Sequence, residues 1–192
     1  MTNQEGAAKN EVGWDDLSLR VVQGLSPPEN FAAQLWIPVA SDVHQLVAAV
    51  LFAQRSDETS WRWTACQLKH RADGWQLVAR ESMESTSPWI ALTDRPSINE
   101  WGASAGHVRF EQTTAKFVDG KWLFMRHIRA TREVQTIEFE GRRRSVPEHG
   151  HLVLTWESAK PPVSPGKGWE PNSYTRAFAA DGTELIVLRV GW

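Results

Sequence analysis

Residues 102–106 read GASAG and place Ser104 in the pattern of the nucleophile elbow of serine hydrolases. An elbow needs an apolar parallel strand before the serine and a helix after it, so that the hydroxyl stands clear of the sheet. Residues 92–101 instead carry a proline and three charges, and residues 107–118 alternate like a strand. We therefore expect a loop at Ser104 and no catalytic serine.

Two histidines form a second candidate site, in the sequence EHGH. In an extended segment His149 and His151 project to the same side, and Glu148 or His107 could complete a metal shell. Two histidines do not by themselves define a metal site, and the preceding proline is typical of a turn. We keep a weak metal site at His149 and His151 as the alternative to solvated turn residues, which we favour. No cofactor is expected.

Arginines dominate the charge of residues 107–144. Guanidinium groups bind carboxylate or phosphate through paired hydrogen bonds, and arginine is enriched at protein interfaces. Arg126 and Arg132 share the strand phase of Trp122 and Phe124, which should face the core. Either a bulge reverses this phase, or this face of the strand leaves the core and binds a partner. The alternative to a binding face is a solvated strand edge whose charges prevent pairing with another strand. The candidate partner-binding residues are Arg126, Arg129, Arg132, Arg142, Arg143 and Arg144.

Tryptophan is unusually frequent, with eleven residues against one tyrosine. Tryptophan buries a large area and is also common in binding hot spots. Trp75 and Trp122 follow Asp-Gly turns on apolar strand faces, which favours a place in the core. Three others stand beside proline or glycine in predicted loops, where they could bind a sugar or another small ligand or could cover the ends of a sandwich: Trp89, Trp101 and Trp169.

Three Asp-Gly pairs predict the fold. Each pair lies between two strand-like runs, and type I′ hairpin turns favour this dipeptide because both central residues need positive φ. With Asp119-Gly120 as a two-residue loop, Phe117 pairs with Trp122 and Ala115 pairs with Phe124. Seven or more strands joined in this way predict a mainly β protein, either an antiparallel sandwich or an open barrel.

The N-terminal part of the chain is harder to interpret. Residues 1–13 are polar and lack periodicity, which predicts a disordered tail before a single β-rich domain at 14–192. One or two short helices are expected near the N-terminus. Residues 29–37 fit a helix or a strand, and residues 43–54 slightly favour a helix through the spacing of their apolar positions.

Composition limits the class of partner. The formal net charge of −2 gives no overall attraction to nucleic acid or to an anionic membrane. Cys66 is the only cysteine, so an internal disulfide and a four-cysteine metal site are excluded. The N-terminus lacks the pattern of a secretion signal, and residues 46–53 are too short an apolar run to span a bilayer. We expect a cytoplasmic protein that does not bind membranes.

Together these patterns favour binding over catalysis. The leading hypothesis is an intracellular accessory subunit that binds a protein or ribonucleoprotein partner through a face rich in arginine and tryptophan. One alternative is a small-ligand or carbohydrate-binding module that uses the loop tryptophans. A second alternative is a nucleic-acid-binding subunit that uses Arg142, Arg143 and Arg144, whose affinity would fall steeply with salt.

Overall fold

The computed structural model describes residues 13–25, 36–55, 60–85, 95–101, 106–161 and 174–189. These ranges hold two helices and eleven strands, and every paired strand is antiparallel. The elements are α1 (Trp14–Val22), β1 (Ile37–His44), β2 (Val47–Arg55), β3 (Trp61–Arg71), β4 (Gly74–Ser85), α2 (Ile98–Trp101), β5 (Val108–Val118), β6 (Lys121–Ala130), β7 (Thr136–Phe139), β8 (Arg142–Ser145), β9 (His151–Ser158), β10 (Tyr174–Phe178) and β11 (Glu184–Arg189). Neither helix is both long and apolar enough to cross a membrane.

The strands form three sheets. Sheet A has the order β1-β2-β3-β4, sheet B has the order β5-β6-β9, and sheet C has the order β11-β10-β7-β8. This arrangement confirms the predicted class, a mainly β protein of packed antiparallel sheets. All three Asp-Gly pairs lie where neighbouring strands meet, and the predicted pairs Phe117–Trp122 and Ala115–Phe124 are present.

Sheet B lies between the other two sheets. On one side Met125 and Val153 pack against Leu51 and Trp63 of sheet A. On the other side Phe124 and its neighbours pack against sheet C in a larger apolar cluster that also holds Ile128, Leu154, Trp156, Ile137, Phe139 and Ala177. Because both faces are covered, residues 123–130 of β6 are all buried.

Helix α1 covers the outer face of sheet A. Leu17 packs there with Val50, Phe52 and Leu68. Strand β2 is therefore enclosed by α1 on one face and by sheet B on the other, and residues 47–53 are all buried.

The expected helix at 43–54 is wrong. These residues form the end of β1 and strand β2, joined by a turn in which Gln45 has φ 54°. A strand buried on both faces needs no polar alternation, so its continuous apolar sequence also fits helical spacing. Most of residues 29–37 lies outside the described residues, as does nearly all of the predicted tail at 1–13, and β1 begins at Ile37.

Candidate functional site

Strand β6 places different chemistry on its two faces. Phe124 faces sheet C, whereas His127 and Arg129 face sheet A because side chains alternate along a strand. The adjacent strand β9 contributes His151 directly opposite Arg129. His127, Arg129 and His151 are each at most 1% exposed. Polar and charged groups are thus enclosed between two sheets, where their burial is costly unless they bind one another.

These three side chains form a hydrogen-bonded series that we call the Arg129–His151–His127 chain. Nη1 of Arg129 contacts Nε2 of His151, and Nδ1 of His151 lies 2.8 Å from Nε2 of His127. A guanidinium can only donate, so Nε2 of His151 accepts and its Nδ1 donates to Nε2 of His127. In a neutral His127 ring the remaining proton then lies on Nδ1.

Burial keeps that ring neutral. Removal from water, together with repulsion from Arg129 and from the protonated form of His149, lowers the pKa of His127 from its ordinary value of 6.5 to about 3. Burial also lowers the pKa of Arg129 to about 10, which still leaves the guanidinium charged at neutral pH. The series therefore begins at a fixed positive charge and ends at a neutral ring. Nδ1 of His127 is buried and has no hydrogen-bond partner in the described parts of the chain.

Trp63 of strand β3 packs against both imidazole rings. Its ring centroid lies 5.0 Å from that of His127 and 4.7 Å from that of His151. Trp63 is fully buried and itself contacts Trp61 at 6.4 Å between centroids. Packing against Trp63, together with the two hydrogen bonds, fixes the orientation of both imidazole rings.

A cavity opens beside His151. It has a volume of about 220 Å³ and lies between β1, β9 and the segment that joins β8 to β9; we call it the β1–β9 cavity. Its lining combines apolar and polar residues in nearly equal number: Val39, Ala40, Ser41, Arg144, Ser145, Pro147, His151, Leu152 and Val153. His151 thus belongs both to the cavity lining and, through its fully buried ring, to the Arg129–His151–His127 chain.

Asp42 of β1 ties the strands around this cavity together. Its fully buried carboxylate accepts hydrogen bonds from Arg142 at 3.0 and 3.2 Å and pairs with Arg144 at 3.2 Å, both of which lie on β8. It also accepts a hydrogen bond from the backbone N–H of Thr155 in β9, at 2.9 Å. Arg144 further donates to the carbonyl of Ser41 at 2.9 Å. One carboxylate therefore joins sheets A, B and C.

The six arginines that the sequence singled out do not share one surface. Arg126 and Arg129 are each 1% exposed, whereas the side chains of Arg132 and Arg143 are 56% and 65% exposed and pair with Glu100 and Glu138. The remaining two are those that hold Asp42, namely Arg142 and Arg144.

Arg126 lies on the opposite face of β6 from Arg129. Its guanidinium sits 4.3 Å from the ring centroid of Phe110, and its Nε donates to Oγ1 of Thr113 at 3.2 Å. Neither alternative for Arg126 is correct: the register shift lies in β5 between Phe110 and Gln112, so β6 keeps its phase, and Arg126 stays inside the core instead of leaving it. Cation–π contact and this hydrogen bond offset part of the cost of burial.

The remaining candidates are dispersed. Trp101 ends helix α2, is 5% exposed and lies under the guanidinium of Arg109 at 5.6 Å. His149 accepts a hydrogen bond from the backbone N–H of His151 through Nδ1 at 3.1 Å. Within the described ranges no group of three or more histidine, cysteine or acidic side chains could hold a metal ion, which leaves the weak metal site without a third ligand. Ser104, Trp89 and Trp169 lie outside the described residues.

Sequence reasoning missed Asp42, Trp63 and His127 as members of a site. Trp63 is a core residue, but its ring packs against two buried histidines and not only against apolar side chains. The available signal was a second pair of polar residues at alternate positions of β6, His127 and Arg129, on the face opposite to that of Arg126. Asp42 gave a weaker signal, a single acid in the segment IPVASDVH.

Comparisons with known proteins identify no relative: no family model, curated protein or solved structure matches this chain. The arrangement of its own residues is therefore the basis for an inference about function.

Removal of the Asp42 carboxylate should destabilise the fold strongly. In Asp42→Ala two guanidiniums and one backbone N–H lose a buried acceptor, and breaking a buried ion pair costs about 3–5 kcal/mol. The matched control is Asp16→Ala, which removes an exposed i,i+4 pair with Arg20 and should cost less than about 0.5 kcal/mol. Urea unfolding of both variants gives the free energies. Equal losses would contradict a central role for Asp42.

His127 should make the protein less stable in acid. Between pH 6.5 and about 3 the unfolded chain binds a proton at this histidine that the folded chain excludes, so acid favours unfolding. The contribution is up to about 1.4 kcal/mol for each pH unit in that window.

The measurement is the free energy of unfolding as a function of pH for wild type and His127→Gln. In His127→Gln the free energy of unfolding should fall less steeply below pH 6.5 than in wild type. The control His70→Gln, which removes an exposed histidine of β3, should show the wild-type slope. Parallel curves for wild type and His127→Gln would show that His127 titrates normally in the folded protein.

Proposed function

We propose that this protein is a small-ligand-binding β module whose ligand occupies the β1–β9 cavity. The observation that carries the proposal is the cavity itself, whose lining combines apolar residues with polar groups, Arg144, Ser41 and His151 among them. Ligand sites are concave and combine apolar residues with placed polar groups that orient the ligand. This is the small-ligand alternative raised by the sequence, placed at residues other than the loop tryptophans.

The dimensions of the cavity limit the ligand. Pockets for drug-sized molecules are typically about 300–1,000 Å³. At about 220 Å³ the β1–β9 cavity suits a molecule smaller than a nucleotide or an oligosaccharide. Its frame is rigid because Asp42 joins β1, β8 and β9, so the site is formed before a ligand arrives and little ordering is needed on binding.

Filling the cavity should abolish binding. Ala40 lines the cavity, and Ala40→Leu adds three carbon atoms where the ligand would lie. The matched control is Val43→Leu, on the same strand with a side chain that is 44% exposed. Binding of benzoate, hexanoate, benzamide and benzyl alcohol is measured by thermal shift and by titration with NMR detection. The dissociation constant of any member that binds wild type should rise at least about tenfold in Ala40→Leu and stay unchanged in Val43→Leu.

Two results would contradict the proposal. One is an unchanged dissociation constant in Ala40→Leu for a variant that melts within a few degrees of wild type. The other is the absence of binding by every member of the panel to wild type at millimolar concentration.

A protein-binding surface is the second candidate, and the ends of three hairpins favour it. The turns after β1, β3 and β5 lie together, because the N–H of His70 donates to the carbonyl of Leu46 and Arg71 binds Asp119. Leu46 and Phe117 are 55% and 57% exposed at these turns. Apolar side chains gathered on one surface are typical of protein interfaces. All six candidate arginines contact other residues of this chain, so the hairpin ends support a protein partner better than the arginines do.

Replacing the exposed ring should remove a partner that binds this surface. Phe117→Ser should abolish recovery of a stoichiometric protein in a nuclease-treated pull-down while lowering the free energy of unfolding by less than about 1 kcal/mol. Arg143→Ser, an exposed position elsewhere, is the control. Recovery that is equal for wild type and both variants would place any partner elsewhere, and recovery that nuclease abolishes would favour the nucleic-acid alternative.

A further inference from the structure

Charge is unevenly distributed around the β1–β9 cavity. The guanidiniums of Arg142 and Arg144 share the single carboxylate of Asp42, which leaves one positive charge in excess at this wall. Arg144 lines the cavity, and its side chain is 41% exposed, so its guanidinium is accessible to a molecule in the cavity as well as to Asp42. An excess cation beside an enclosed space favours an anionic guest.

The polar groups of the cavity lining suit a carboxylate. The hydroxyl-bearing residues Ser41 and Ser145 line the cavity together with Arg144. A guanidinium forms paired, charge-assisted hydrogen bonds with a planar carboxylate, and hydroxyl groups can donate to its remaining lone pairs. The cavity therefore offers several donors to an anion.

The cavity lining also includes apolar residues. Val39, Ala40 and Pro147 are among them, together with Leu152 and Val153. The ring of His151 adds no free donor, because its Nδ1 donates to His127 and its Nε2 faces the donor Arg129. Arg129 nevertheless keeps a positive charge behind that ring. The guest thus needs one charged end and an apolar body.

We propose that the ligand of the β1–β9 cavity is a small amphipathic carboxylic acid, bound as its anion, with the carboxylate at Arg144 and an aliphatic or aromatic body against Val39, Ala40 and Pro147. This inference rests on the proposed ligand-binding function and adds the chemical class of the ligand. Arg144 then determines specificity: it distinguishes an acid from its neutral isostere, whereas the apolar wall contributes equally to the binding of both.

The test compares benzoate with benzamide, which has the same shape and no charge. On wild type, benzoate should bind at least about tenfold more tightly than benzamide. Arg144→Gln should remove this preference, because it weakens the binding of benzoate more than that of benzamide. Arg143→Gln is the matched control, since Arg143 is the next residue on β8 and pairs with Glu138 away from the cavity; it should retain the wild-type preference.

The outcomes separate this inference from the proposed function. Equal affinities for benzoate and benzamide on wild type, both lost in Ala40→Leu, would overturn the acid specificity and leave the cavity as a binding site. A preference for benzoate that persists in a folded Arg144→Gln protein would assign the carboxylate to other residues. If neither compound nor hexanoate binds wild type at millimolar concentration, the inference fails, and if benzyl alcohol does not bind either, the proposed function fails with it. The wild-type comparison needs no variant, so an unstable Arg144→Gln protein does not prevent the decision.

Discussion

The fully buried carboxylate of Asp42 is the interaction on which the rest of the structure depends. It is the common acceptor for Arg142 and Arg144 of β8 and for the backbone N–H of Thr155 in β9, so one residue of sheet A holds sheets B and C. A buried charge is tolerated only when its lone pairs are occupied, and here two cations and one amide occupy them. The same contacts fix β1 and β9 at the separation that leaves the cavity between them.

Enclosure of sheet B on both faces explains the polar chemistry of its interior. A strand that has no solvent face must bury every side chain, including the charged ones. In β6 the buried arginines make different contacts on the two faces of the strand. Arg126 packs on Phe110 among the aromatic residues that face sheet C. Arg129 instead joins His151 and His127 in a hydrogen-bonded series that faces sheet A. Arg129 therefore places a positive charge next to His151, which belongs to the lining of the candidate ligand site.

Several features of the fold could be predicted because their causes are local. Asp119-Gly120 adopts positive φ at both residues, 52° and 79°, and this turn sets the register of β5 and β6 by itself. The prediction of a helix at 43–54 was wrong because β2 is covered by α1 on one face and by sheet B on the other. Periodicity cannot distinguish a strand buried on both faces from a buried helix. That double burial depends on elements far away in the chain.

The sequence by itself determined the antiparallel class and the positions of the hairpins, since turn chemistry and strand alternation act over a few residues. Only the tertiary structure decided which polar residues meet. Arg142 reaches Asp42 across 100 positions of the chain, and His151 reaches His127 across 24. No local pattern shows whether an arginine on a strand faces solvent, an aromatic ring or a buried carboxylate, because that depends on which sheet packs over it. The candidate site is made of such long-range contacts, so it could be identified only from the packing of the three sheets.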